Sequence, residues 1–431
     1  MWSTNAPTSF SIRSTRSFED PHESRNGNDM SKRQDGLIQR RALFRIGGMA
    51  LASGGLVPSA AAIADQPPPN TGVVSVKDPQ FGAIGDFRTD DTNAIQAAAD
   101  YCFGSPSAPH GTEKVNANRI LQVPPGTYKI TAPIKFAKLH GARIIGSGRF
   151  VTKIINVAGG SVFVTNGCGY SHFEGMYLQS SDKSAPVFDL NWDGTSGGPA
   201  LQSNSFVEML FDGGATGIDI GAGGYMGSEN IFINCFWVYC AVAGLKTSNF
   251  NALQNTLVGG NLQACNIGVW VARGSVCVIE SVGFQLSKQW DIRVDNSAND
   301  TINVIGCRTE SSNFIQVENF VHTCIVGCSQ TEAGAAGYFL RPSGCPTTVE
   351  RCVSIKGQIS LSADARLTVR GSSFGRKDWL VHSPLNAGQS IELDDVQYGG
   401  TPNSPGGYSA MRIAKQRITS TGVYDYATVP A

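Results

Sequence analysis

INVIGC at Ile302–Cys307, IVGC at Ile325–Cys328 and TVERC at Thr348–Cys352 are three successive short apolar runs ending on the same residue type, 21 and 24 residues apart. Working outward from them, the same kind of run recurs at Ile231–Cys235, Thr256–Val258 and Val278–Val282. Each is followed by a second run, an apolar pair flanking one other residue: Ile218/Ile220, Val269/Val271, Ile292/Val294, Ile315/Val317 and Ile359/Leu361. One unit has only Gly244-Leu245 there. Aligning Cys235, Asn261, Gly283, Cys307, Cys328 and Cys352 gives steps of 26, 22, 24, 21 and 24 residues, with Val282 as an alternative to Gly283. A repeat of that length made of short strands and turns predicts an all-β solenoid, a parallel β-helix whose coils stack about 4.8 Å apart. Cys307, Cys328 and Cys352 then form an inward ladder, either as small apolar thiols or with a disulfide between neighbours.

Composition agrees. The 431 residues include 50 glycines and only 16% charged residues, which describes a turn-rich β protein. Lys plus Arg equals Asp plus Glu, 34 each, so the basic footprint of a nucleic-acid partner is missing. Residues 1–29 are polar and precede Met30, which we expect to be the true translation start. Residues 30–64 have the parts of a twin-arginine signal: Gln39 to Arg45 reads QRRALFR, Ile46 to Val57 is apolar, and Ala62-Ile63-Ala64 ends it. The apolar run falls short of the roughly 20 residues of a membrane span, so no anchor is expected in the mature chain. A linker at 65–72, with Pro67 to Pro69, leads into the fold, and the expected location is periplasmic or secreted.

FGAIGDFRTDDTNAIQAAAD, Phe81 to Asp100, follows. Asp90 or Asp91 is placed to cap a helix from Thr92 whose Ala94, Ile95, Ala97 and Ala98 cover one face. The segment resembles the start of the pectate-lyase-like superfamily, which includes rhamnogalacturonase- and epimerase-like β-helices and phage tailspikes. The matching positions are Gly82, Ala83, Gly85, Asp86, Thr89, Asp90, Asp91 and Thr92, with Phe87 replacing the usual glycine. Leu121 to Tyr128 (LQVPPGTY), Pro133-Ile134 and Ile145 to Gly148 continue the family order. The resemblance is motif by motif over 73–155 and by repeat style beyond. It implies a single-stranded right-handed parallel β-helix over 73–377 with an N-terminal capping helix, a C-terminal cap and tail over 378–431, a polysaccharide partner, and, from its tailspike members, a homotrimer.

Alternation along the second strands turns Asp189, Asp219, Lys246, Trp270, Arg293 and Gln316 outward in one column. Two residues past the first ladder a second outward set is expected: Asp212, Trp237, Gln263, Gln285, Thr309 and Gln330, with Glu310 and Glu332 nearby. Carboxylates and amides suit sugar hydroxyls and aromatic rings suit sugar faces, so Asp212, Trp237, Gln263, Trp270 and Gln285 are expected to bind substrate. For hydrolysis, Asp189 with Asp219 or Glu310 with Glu332 are the candidate pairs. For elimination from a uronate, Lys246 or Arg293 would neutralise the carboxylate or act as base. Asp189 and Asp219 carry oxygen ligands suited to Ca²⁺, but no loop has a calcium-binding pattern. The catalytic sets of polygalacturonases and of established pectate lyases are missing, and His172, with no glycine after it, reads as a surface residue. The expectation is an exported enzyme acting on an acidic polysaccharide, a lyase ahead of a glycoside hydrolase. The alternative is a non-catalytic polysaccharide-binding or scaffold β-helix.

Overall fold

The computed structural model describes residues 72–430 except 105–118, 137, 193–201, 223–225, 296–300, 319–321, 333–336, 363–365, 383, 387–388, 400–410 and 420–421. The signal and its processing site lie outside the described residues. One coil shows the plan. Ile231–Ile233 lies on a first face, Phe236–Val238 on a second and Ala243–Thr247 on a third. Each pairs in parallel with its counterpart one coil on: Ile231 with Thr256, Phe236 with Asn261, Leu245 with Val269. The third face is a sheet of 11 strands, and the other two are joined in one of 27. The expected parallel β-solenoid is the fold.

The corner between the first and second faces turns on a left-handed residue in each coil: Glu208, Asn234, Gly259, Ser281, Gly306, Gly327, Arg351 and Gly371, with φ between 50° and 65°, and in the Gly259 coil Gly260 also has positive φ. A single αL residue rotates the chain sharply while keeping both flanking strands extended. Inside, Phe173, Phe206 and Phe232 stack as a ladder, with centroids 5.1 and 4.8 Å apart. On the second face Phe211, Trp237, Leu262 and Phe284 are fully buried. The third face makes room for them with Gly217, Gly244 and Gly268; a Cβ on Gly217 would stand 2.3 Å from the Trp237 ring. Where the second face turns to Thr309 and Gln330, the third supplies Phe314 and Phe339 instead. Large faces small across the core, which keeps its density even.

The pairing corrects the ladder. Asn261 and Gly283 stand opposite Phe236 and Arg308, so the residues equivalent to Cys235 and Cys307 are Gly260 and Val282. Cys235, Cys307, Cys328 and Cys352 are buried, and all the cysteines are thiols. Cys307, Cys328 and Cys352 donate to backbone carbonyls of the preceding coil at 3.4–3.6 Å. Gly260 has φ +84° and its Cβ would meet the Cys235 carbonyl oxygen at 2.0 Å. Gly260→Ala is therefore expected to destabilise the fold by about 3 kcal/mol, read by chemical denaturation, because both the backbone and the clash oppose it.

The pairing also sorts the second outward set, part of which points inward. Where the alignment was correct, two residues on from an inward position is again inward: Trp237, Thr309 and Gln330 are all buried. Where it was late by one, the set is outward, at Gln263 and Gln285. The true outward row is Gln179, Asp212, Val238, Gln263, Gln285 and Glu310. Trp237, expected to meet substrate, is a core residue.

The helix Thr92–Phe103 buries Ile95, Ala98, Ala99, Cys102 and Phe103, while Ala97 is exposed. Asp91 holds its N-cap position without capping it; its carboxylate accepts from the Ile84 and Gly85 amides at 2.7 and 3.0 Å. Asp90 takes the Thr92 amide and hydroxyl instead. At the other end, parallel pairing runs beyond residue 377, through Leu380–His382 and Ser390–Tyr398, before the antiparallel strands Met411–Thr419 and Gly422–Pro430. Among the described residues no helix is long and apolar enough to cross a membrane.

Candidate functional site

The outward column of the third face assembles in register. Asp189 stands opposite Asp219, then come Lys246, Trp270, Arg293 and Gln316, one per coil. Its strands are alike: inward residues such as Ile218, Ile220, Val269, Val271, Ile292 and Val294 are fully buried and turn the residue between them outward, Asp219 remaining largely covered.

The two aspartates differ in their surroundings. Lys246 Nζ lies 3.0 Å from Asp219 Oδ2, and the Ser248 hydroxyl donates to Oδ1 at 2.5 Å. The Asp189 carboxylate has no hydrogen-bond partner in the described structure. Burial pushes the Asp189 carboxyl above its ordinary range, and the neighbouring Asp219 charge adds to that. Burial also raises Asp219, while Ser248 and Lys246 pull it back. Of the two, Asp219 has the partners that favour an anion; Asp189 has surroundings that favour the acid.

Farther along the axis the column becomes cationic and aromatic. Lys246 Nζ and Arg293 Cζ each lie 5.2 Å from the Trp270 ring centre. Asp295 ties this group together, accepting from Trp270 Nε1 at 2.8 Å and from Arg293 Nε at 2.6 Å. Gln316 donates to Glu318 at 2.8 Å. Ser248, Asp295 and Glu318 were not anticipated, yet each sits two residues past a column member, at the end of its strand or one residue beyond it.

The other candidate pair does not assemble in this way. Glu310 is paired with Arg308, and Glu332 with Lys356 at 3.3 Å and Ser311 at 3.1 Å. Gln330 pairs with Thr309, so Glu332 is one position out of register with Glu310. His172 lies on the first face between Ser205 and Glu174, at 2.7 and 2.9 Å. Nor do Asp189 and Asp219 fit Ca²⁺: both Asp219 oxygens are taken, an ammonium stands beside them, and among the described residues no three His, Cys, Asp or Glu side chains converge.

The chain belongs to the rhamnogalacturonase A/epimerase, pectate lyase-like family, whose model matches residues 73–299. Among solved structures, the enzymatically active domain of tailspike protein 2 of bacteriophage CBA120 is 14% identical with a TM-score of 0.51, covering 69% of this chain and 47% of its own. The catalytic unit of an α-1,3-glucanase from Streptomyces thermodiastaticus is also 14% identical, with a TM-score of 0.48, covering 79% of this chain and 70% of its own. A mannuronan C-5 epimerase A-module from Azotobacter vinelandii is 13% identical at 0.41, covering 77% and 96%. No curated protein matches the sequence.

Proposed function

We propose that this chain is an exported enzyme that hydrolyses a polysaccharide laid along the third face, with Asp189 as general acid and Asp219 as the carboxylate that attacks or stabilises the anomeric carbon. The observation that carries the reading is the direct register of Asp189 with Asp219 and their unlike surroundings. Neighbouring coils stand about 4.8 Å apart, close to the roughly 5–5.5 Å separation of carboxyl groups in retaining glycosidases. In the first step the Asp189 proton passes to the glycosidic oxygen as the C–O bond breaks, and Asp219 forms an ester with the sugar. Water then cleaves the ester, giving its proton to Asp189. The flanking cations Lys246 and Arg293 and the Trp270 ring suit a saccharide bearing carboxylates.

Hydrolysis stands ahead of elimination in this reading because Lys246 and Arg293 each already engage a carboxylate, Asp219 and Asp295, rather than standing free to take a proton. The test is to incubate the protein from Asp65 onward with acidic and neutral polysaccharides, following reducing ends and unsaturated products in parallel. Reducing ends without unsaturation support the proposal; unsaturated product favours a lyase, and binding with neither favours a scaffold. Trp270→Ala is expected to raise KM about tenfold with a smaller change in kcat, since the ring binds substrate without touching the reacting bond.

A further inference from the structure

The second face carries a carboxylate whose situation solvent exposure does not explain. Asp212 lies on the same coil as Asp219 but on the other side of the corner Gly213–Ala215. Burial pushes its carboxyl upward, with Lys183 and Tyr177 opposing. Tyr177 Oη and Gln179 Nε2, the latter at 3.0 Å, both donate to Oδ2. Among the described residues Oδ1 receives no hydrogen bond, so one oxygen of a partly desolvated carboxylate is left without a donor. A residue present only to keep the surface soluble would be fully hydrated.

Asp212 also heads a row. Val238, Gln263, Gln285 and Glu310 follow it one coil at a time, in register. Beside the row the Arg149 guanidinium lies 3.9 Å from the Phe236 ring and donates to the Asn234 carbonyl oxygen. That contact fixes the loop carrying Phe150, whose ring is 64% exposed. Carboxylate, carboxamides and a fixed exposed aromatic ring are the groups that take sugar hydroxyls and a sugar's apolar face. The third face has cations on its column. This row has none of its own, and Glu310 is already matched by Arg308.

We propose that the second face holds a separate binding site for a neutral glycan, centred on Asp212 and extending along Gln263 and Gln285. It acts by holding a chain and takes no part in bond cleavage at Asp189 and Asp219. The site stands whether or not the third face is catalytic.

Calorimetric titration of the protein from Asp65 onward tests this, using maltohexaose, cellohexaose and a galacturonic acid hexamer as probes. A neutral hexamer is expected to bind, with affinity lowered at least tenfold by Asp212→Ala and by Gln263→Ala, and unchanged by Trp270→Ala. Thermal midpoints of the variants identify any that fail to fold, and Gln263→Ala, an outward truncation, keeps the test decisive if Asp212→Ala is among them. Failure of both neutral hexamers to bind, or binding that follows Trp270 rather than Asp212 and Gln263, overturns the proposal.

Discussion

Asp219→Asn is expected to lower kcat/KM for polysaccharide cleavage by about 10³-fold, within the range general acid–base and carboxylate catalysis contributes. The amide keeps the volume and can still meet Ser248, but it cannot form the sugar ester or match the Lys246 ammonium. Asp189→Asn is expected to cost about as much on the natural polymer, yet much less on an aryl glycoside, whose leaving group departs without a proton. That difference separates acid from nucleophile. With Asp189 as the acid, activity holds until pH rises through its elevated carboxyl titration and then falls; it falls again at low pH as Asp219 takes a proton. Because the two groups interact, the limbs of the profile belong to the pair.

Asn230→Ala is expected to remove about 3 kcal/mol of stability, roughly 5 °C in Tm, measured by urea and thermal denaturation. Asn204, Asn230 and Asn255 form a fully buried amide ladder where the first-face strands begin. Asn204 Nδ2 and its backbone amide donate to Asn230 Oδ1 at 2.9 and 3.2 Å, and Asn230 repeats both bonds to Asn255. Truncating the middle member orphans two donors of Asn204 and leaves Asn255 Oδ1 with one donor fewer among fully buried groups, which is why the cost exceeds that of one lost hydrogen bond.

These two sites were legible in the sequence to different degrees. The third-face column is legible because most of its strands set one variable residue between two inward apolar residues, and period two then fixes which side chain turns outward. The second face was misread because no such pair brackets its outward residue. Two positions past an inward ladder residue is again inward, which buries Trp237, Thr309 and Gln330, while the one-residue slip at Asn261 and Gly283 leaves Gln263 and Gln285 outward. Ser248 and Asp295 were reachable by the same rule that found Lys246 and Arg293, taken one step farther. The asparagine ladder, with steps of 26 and 25 residues, was present in the repeat but hidden by its polarity, since a buried amide looks like a turn residue until its partners are seen. The unequal environments of Asp189 and Asp219 depend on Lys246 and Ser248 arriving from the next coil, and a single sequence does not show which side chains a coil lends its neighbour.

Proton NMR of the first product, recorded in the opening minutes of reaction on whichever polysaccharide releases reducing ends, tests the account most directly. The adjacent-coil spacing of Asp189 and Asp219 predicts a new anomeric proton with the same configuration as the linkage cleaved. Inversion at that centre, a C4–C5 unsaturated sugar, or the same product formed at the same rate by Asp219→Asn would contradict it.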